Sequence, residues 1–269
     1  MKGTILLALI VFSTFSFAQK QADGEKKVKN PRKKKEIVSG LLYEKDLRVG
    51  AVLKGNGWGM FVEKSTYPKY KTRKFFRLQL AETNHIKEIK QASNFNAAFL
   101  ESAPKPYFYG KQNNLFNLSL NYGKAKMITE KPKQKGIEVW RKFSIGPTLG
   151  ITKPYYLNLF YGDEEQRIES LSAENEDFFL NKFAIIGYGG FFNGFDKLNY
   201  VGGVNAKYGL LFDWAVKENV VSTLEVGAMV DVYFKEVPLI IEVDNGNAKN
   251  QFIFPTLYLS LQVGKKKTR

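Results

Sequence analysis

From residue 46 to residue 264 the chain alternates apolar and polar side chains with a period of two, over stretches far longer than an ordinary strand needs. A period of two marks β-strands with two unlike faces. In the last stretch Ile253, Pro255, Leu257, Leu259, Leu261 and Val263 form one face, and Phe254, Thr256, Ser260, Gln262 and Gly264 the other. Residues 223–234 and 204–214 alternate in the same way. Residues 142–152, 116–123, 76–80, 58–63 and 48–53 repeat the pattern with more noise. The expectation is an all-β, antiparallel chain of eight strands, with ten as the alternative count.

Alternation alone suits both a soluble sandwich, apolar inside, and a transmembrane barrel, apolar outside. Three features favour the barrel. Several strands run ten or more residues, enough to cross a bilayer at a tilt of about 45°. The polar faces are rich in Gly, Ser, Thr and Asn. Gly weakens a solvent-facing strand, whereas a narrow lumen needs the space it leaves. The connections also alternate in length after the first hairpin. Residues 84–113 and 154–200 are long links, while residues 217–219 make a short one, as in barrels with long outer loops and short periplasmic turns. Both termini are then expected in the periplasm.

Residues 1–18 read as a cleaved signal peptide, with Lys2, an apolar run from Ile5 to Phe12 and small residues near Ala18. The run is too short to span a bilayer, which takes about 20 residues. Cysteine is absent, which excludes disulfides, thiolate metal sites and lipid attachment at cysteine. The net charge of +15 does not imply nucleic acid, which an exported chain does not meet. Residues 19–36 carry eight Lys/Arg against three acids and have too little to bury to fold alone. Within them Lys26, Lys27, Lys29, Arg32, Lys33, Lys34 and Lys35 form a candidate docking arm. Further basic clusters lie at 64–74, 124–135 and 265–269, and an acidic one at 163–177. The expected division is signal peptide 1–18, disordered basic periplasmic tail 19–40, barrel 41–264 and basic C-terminal tail 265–269.

The strands, with Tyr109-Gly110-Lys111-Gln112-Asn113 before one of them and Gly146-Pro147-Thr148-Leu149-Gly150 followed by Lys153-Pro154-Tyr155-Tyr156 in the next, resemble small eight-stranded outer-membrane barrels of the OmpA and OmpX transmembrane type. More narrowly they resemble a poorly characterised accessory-barrel family of Gram-negative gliding and oral bacteria. The resemblance implies an outer-membrane location and carries over no catalytic residue. The chain departs from the usual barrel ending, because it closes on Lys265-Lys266-Lys267-Thr268-Arg269 rather than on an aromatic residue.

Chemistry-bearing motifs are sparse. His85 is the single histidine, so no usual zinc site is expected. A Ser-His site with Ser93 or Ser102 lacks any G-x-S-x-G elbow, and His85 is expected as an exposed loop residue. Gly187-Tyr188-Gly189-Gly190 lacks the Lys-Ser/Thr of a phosphate loop and reads as a flexible loop or bent strand. Arg48, Glu63, Arg77, Lys142, Lys207, Asp213, Glu225 and Asp231 fall on the polar faces. Four bases and four acids in a lumen just wide enough for side chains are expected to pair internally. Trp58, Trp140, Trp214, Tyr122, Tyr155 and Tyr156 suit either aromatic girdles or core packing.

The reading that results is a non-enzymatic, integral outer-membrane barrel acting as a structural or accessory subunit, without cofactor, metal or catalytic residues. Its expected contacts are outer-membrane lipid, lipopolysaccharide and periplasmic or outer-membrane protein partners. A narrow solute channel and a lipid A-modifying enzyme are the alternatives.

Overall fold

The computed structural model describes residues 43–93, 104–130, 136–162, 165–215, 220–242 and 249–268. The signal peptide and the basic tail expected at 1–40 lie outside the described residues. In chain order the elements are β1 (Tyr43–Lys54), β2 (Gly57–Lys69), β3 (Thr72–Thr83), β4 (Lys90–Gln91), β5 (Tyr107–Phe108), β6 (Asn113–Thr129), β7 (Glu138–Pro154), β8 (Tyr156–Phe160), β9 (Gln166–Ser170), α1 (Glu176–Leu180), β10 (Ile185–Tyr188), β11 (Asn199–Asp213), β12 (Val220–Val237) and β13 (Gln251–Thr268).

Eight strands close a barrel in the order β1-β2-β3-β6-β7-β11-β12-β13, each antiparallel to its neighbours. They are the eight strands read from the alternation. Closure comes from β1 against β13, in register from Lys45–Lys267 to Lys54–Tyr258. With no edge left, every strand can pair its backbone internally, which a lipid environment demands.

The faces are inverted relative to a soluble sheet. On β3, Arg73, Phe75, Arg77 and Gln79 point inward and are buried, while Phe76, Leu78 and Leu80 point outward. Arg77 is 1% exposed and Leu78 50%, an arrangement water would penalise and lipid stabilises. Outward Leu53, Leu120, Ile145, Leu210, Val226 and Leu261 extend this band around the wall. On β3 it is flanked by Lys74 and Glu82. Eight residue steps of about 3.4 Å, tilted by about 40°, give a band roughly 20 Å tall, close to the hydrophobic height of such barrels.

Inward glycines make room for rings. A Cβ on Gly123 would stand 2.4 Å from the Phe75 ring, one on Gly50 2.6 Å from Phe61, and one on Gly150 2.7 Å from Tyr233. These three glycines are therefore recesses for neighbouring aromatics, as a narrow lumen requires.

One end of the barrel holds Tyr43, Thr268, the turn at Tyr70-Lys71 and the links 130–137 and 214–219. The other holds the Gly55-Asn56 turn and the longer links 84–112, 155–198 and 238–250. These are called the terminus end and the loop end. The loop end carries a cap absent from the sequence-based expectation. There β8 pairs with β9 and β10, and Tyr107, Tyr155, Leu157, Leu159, Phe179 and Ile185 form its core. Gly187 lies within β10, and Gly189 donates its N–H to the Tyr156 carbonyl at 2.8 Å, so this glycine run is structured strand and turn. Of the acidic stretch, Glu169 falls on β9 and Glu176 and Asp177 on α1. A further correction concerns the C-terminus. Residues 265–268 are not a tail, because β13 runs to Thr268 and Lys265 pairs with both Leu47 and Val220.

A charge placed on the outward band tests the inversion. Leu78→Arg should cost about 2–4 kcal/mol near the bilayer midplane. It should lower the folded fraction, read as the gel shift between unboiled and boiled samples after refolding into lipid. An unchanged shift would point to a water-facing wall.

Candidate functional site

The inward charges sit in layers. Nearest the terminus end, Arg48 donates to Asp46 at 2.7 Å, and the Tyr67 hydroxyl donates to the same carboxylate at 2.5 Å. Arg73 lies 3.8 Å from Asp46 and 3.4 Å from Glu63, joining this layer to the next. In the middle, Arg77 reaches Glu63 at 2.8 Å and Glu225 at 2.6 Å. Lys142 reaches the same two carboxylates at 2.5 and 3.1 Å. Glu225 also accepts from Tyr258 at 2.7 Å and Gln262 at 2.6 Å.

Strand order gives these contacts their meaning. β3 and β12 lie four places apart in a ring of eight, so Arg77 and Glu225 meet from opposite walls across the lumen. Lys142 and Glu63 bridge β7 and β2. Phe61 lies under the Arg77 guanidinium at 4.0 Å and Phe75 under Lys142 at 4.1 Å, filling space beside the charges. Nearer the loop end, Asp231 accepts from Asn205 at 2.6 Å and Asn117 at 3.2 Å. Lys207 donates to Gln79. Beyond them Leu115, Tyr233, Val237, Leu239 and Phe254 form an apolar layer.

All eight charges expected in the lumen are inward and buried. Their pairing differs from the expectation. Glu63, Arg77, Lys142 and Glu225 pair among themselves, but Arg48 pairs with Asp46, and Asp213 lies 3.7 Å from Lys266. Lys207 and Asp231 are held by amides. The sequence reading missed Asp46, Lys54 and Arg73, which are inward and buried as well. Arg73 has the parity of Phe75 and Arg77, so the alternation carried a signal for it.

The structure divides the aromatic residues between the two roles open to them. Trp140 is buried in the lumen against Phe75, Ala125 and Leu211, and Tyr155 is buried in the cap core. Neither is at a membrane interface. Trp58, Trp214 and Tyr122 do point outward.

The barrel is an up-and-down, eight-stranded transmembrane type. No family model matches the chain, and no curated protein matches it. Among solved structures it is similar to Ail, the attachment invasion locus protein of Yersinia pestis, at 9% identity and a TM-score of 0.39, covering 84% of this chain and 99% of that one. A major outer membrane protein from Thermus thermophilus is similar at 12% identity and 0.41, covering 83% and 99%. The N-terminal β-barrel domain of Pseudomonas aeruginosa OprF is similar at 10% and 0.34, covering 84% and 100%. At these levels no residue or ligand is transferred from them.

At the loop end His85 is buried, not exposed as expected. Its Nδ1 accepts the Lys87 N–H at 3.2 Å, and its own backbone N–H donates to Glu88 at 2.9 Å. Glu88 in turn binds Lys111 at 2.6 Å. Ser93 donates to the Ile185 carbonyl at 3.1 Å, and Ser102 lies outside the described residues. Lys153 donates to the carbonyls of Phe191 and Asn193.

Two outcomes follow from this geometry. Glu225→Ala leaves Arg77 and Lys142 short of a buried counter-charge, so it should destabilise the barrel by about 3–5 kcal/mol in urea unfolding. Replacing Arg77 with Met and Glu225 with Leu together should cost less than the sum of the two single changes. Strict additivity would mean that the two side chains do not meet. The second outcome is a pH effect. Burial holds the His85 imidazole below its ordinary value of 6.5, against opposing contributions from the Lys249 backbone and Glu88. The folded cap therefore favours neutral His85. Its contribution is present above pH 6.5 and is lost as pH falls toward the depressed folded value. Limited proteolysis of the loop end should quicken below about pH 6. His85→Asn, whose amide oxygen can still accept the Lys87 N–H, should remove that pH dependence.

Proposed function

We propose that this chain is an integral outer-membrane protein, exported through a cleaved signal peptide, whose barrel is a plugged scaffold rather than a pore or an enzyme. It works as a structural or accessory subunit of an envelope complex. The observation that carries this reading is the contact of Arg77 with Glu225 across the lumen, reinforced by Lys142 and Glu63. A solute would have to separate paired buried charges, at a cost of several kcal/mol.

Long links belong outside and short ones in the periplasm, which supports a periplasmic terminus end. The basic residues Lys26 to Lys35 precede β1 in sequence and offer a docking segment for an anionic partner. The cap supplies a second contact face. Phe183 and Phe192 are 78% and 86% exposed there, more than an isolated loop needs to leave uncovered. An enzymatic reading finds little support at His85, since its Nδ1 accepts a backbone N–H and Ser93 is turned to a carbonyl.

A photoreactive residue at Phe183 or Phe192 should capture one discrete envelope protein in living cells, and the adduct should disappear when the barrel is overproduced without that protein. Capture of lipid alone at both positions would contradict the accessory role. Altered lipid A acylation in His85→Ala, at normal barrel levels, would revive the enzyme reading.

A further inference from the structure

The wall of the barrel at its terminus end carries outward cations set against one another. Strand register places Lys45 directly opposite Lys267, Lys74 opposite Lys124, and Lys126 opposite Arg141. All six side chains are exposed on the outer face. Like charges directly opposite on an antiparallel pair stand about 5 Å apart and destabilise it. Among the described residues none of the six has an ion-pair partner, and the exposed pair of Lys71 with Glu130, at 3.9 Å, lies in the links beyond the wall. Lys64 and Lys265 fill the intervals on β2 and β13, so the cations run across six adjacent strands, β13-β1-β2-β3-β6-β7. On β11 and β12 the arc gives way to Leu210, Phe212, Trp214 and Val220.

We propose that this arc is a binding girdle for the phosphate headgroups of anionic phospholipids in the membrane leaflet at the terminus end. The proposal rests on the transmembrane reading of the barrel. What selects a lipid over a soluble polyanion is the neighbouring rung. Lys74 and Lys124 lie two residues from Phe76 and Tyr122, which contact each other at 4.9 Å on the outer face, and Lys124 also pairs with Phe143. Such a lysine lays its methylenes along acyl chains and lifts its ammonium to the headgroup level. A phosphate between Lys74 and Lys124, or between Lys126 and Arg141, would turn each repulsive pair into a bridged one. Among the described residues the loop end lacks this arrangement. There the outward wall carries Trp58, Phe116, Tyr200 and Phe234 together with Glu82. The two rims therefore suit chemically different leaflets.

Each base near an anionic surface is worth roughly fivefold in association, so several acting together should discriminate strongly between headgroups. The test reconstitutes the full chain in nanodiscs of phosphatidylethanolamine and phosphatidylglycerol and measures the lipid retained by native mass spectrometry. The wild type should retain phosphatidylglycerol several-fold over its share of the mixture, and raised salt should reduce the excess. The variant Lys74→Gln/Lys124→Gln/Lys126→Gln/Arg141→Gln should retain the two lipids in proportion, with its unboiled gel shift unchanged. If four changes prevent folding, Lys74→Gln/Lys124→Gln alone should still lower the excess. Proportional retention by the wild type, or an undiminished excess in a folded variant, would overturn the girdle. So would variant-sensitive binding of a soluble polyanion without lipid selectivity. Loss of the gel shift in the wild type itself would instead strike at the transmembrane reading.

Discussion

Arg77 and Glu225 meet in the middle of the barrel from opposite walls, and the rest of the interior is arranged around that contact. Two charges can be held away from water only if they are paired and their remaining hydrogen-bonding groups are met. Glu225 takes donors from Arg77, Lys142, Tyr258 and Gln262, which come from three different strands. Glu63 ties in the wall opposite Lys142. Side chains this long can cross only where the facing residues are small. Gly50 and Gly123 leave room for the rings of Phe61 and Phe75, which lie under Arg77 and Lys142.

The outer wall obeys the opposite rule. Closure of β1 on β13 leaves every strand backbone paired, so the outward face is free to be apolar. That face ends in cations at one rim and mainly aromatic residues at the other. A soluble sandwich would need neither the inversion nor the asymmetry. The two ends also differ in thickness. At the terminus end β2 and β3 join through Tyr70-Lys71, while the loop end supports a small sheet, a helix and a core of its own built on Tyr155, Leu157, Leu159 and Ile185.

Much of this was legible because the period of two is enforced on both faces at once. The eight strands and eight of the inward charges followed from parity alone. Asp46 and Lys54 escaped because the two-faced pattern of the first strand is clear only over residues 48–53, while both strand ends extend further. Trp140 shares the parity of Lys142 and Ser144, so parity alone could have decided between the girdle and core packing left open for it. The lysines after Gly264 read as a tail because lysine is a weak strand former, yet their pairing with β1 and β12 holds them in the sheet. The cap was not legible. Its strands are two to five residues long, and the burial of His85 depends on neighbours in distant links, including Lys249, which no local pattern encodes.

Function in this account follows from what the lumen cannot do and from what the two rims can hold. On the proposed function, a wall immersed in lipid, a section closed by ion pairs and a capped loop end make a platform rather than a passage. The most direct test is single-molecule conductance in planar bilayers, comparing the wild type with Arg77→Ala/Lys142→Ala/Glu225→Ala. The wild type should be silent, and openings should appear only when the central charges are removed. Steady, reproducible conductance through the wild type would contradict a plugged barrel.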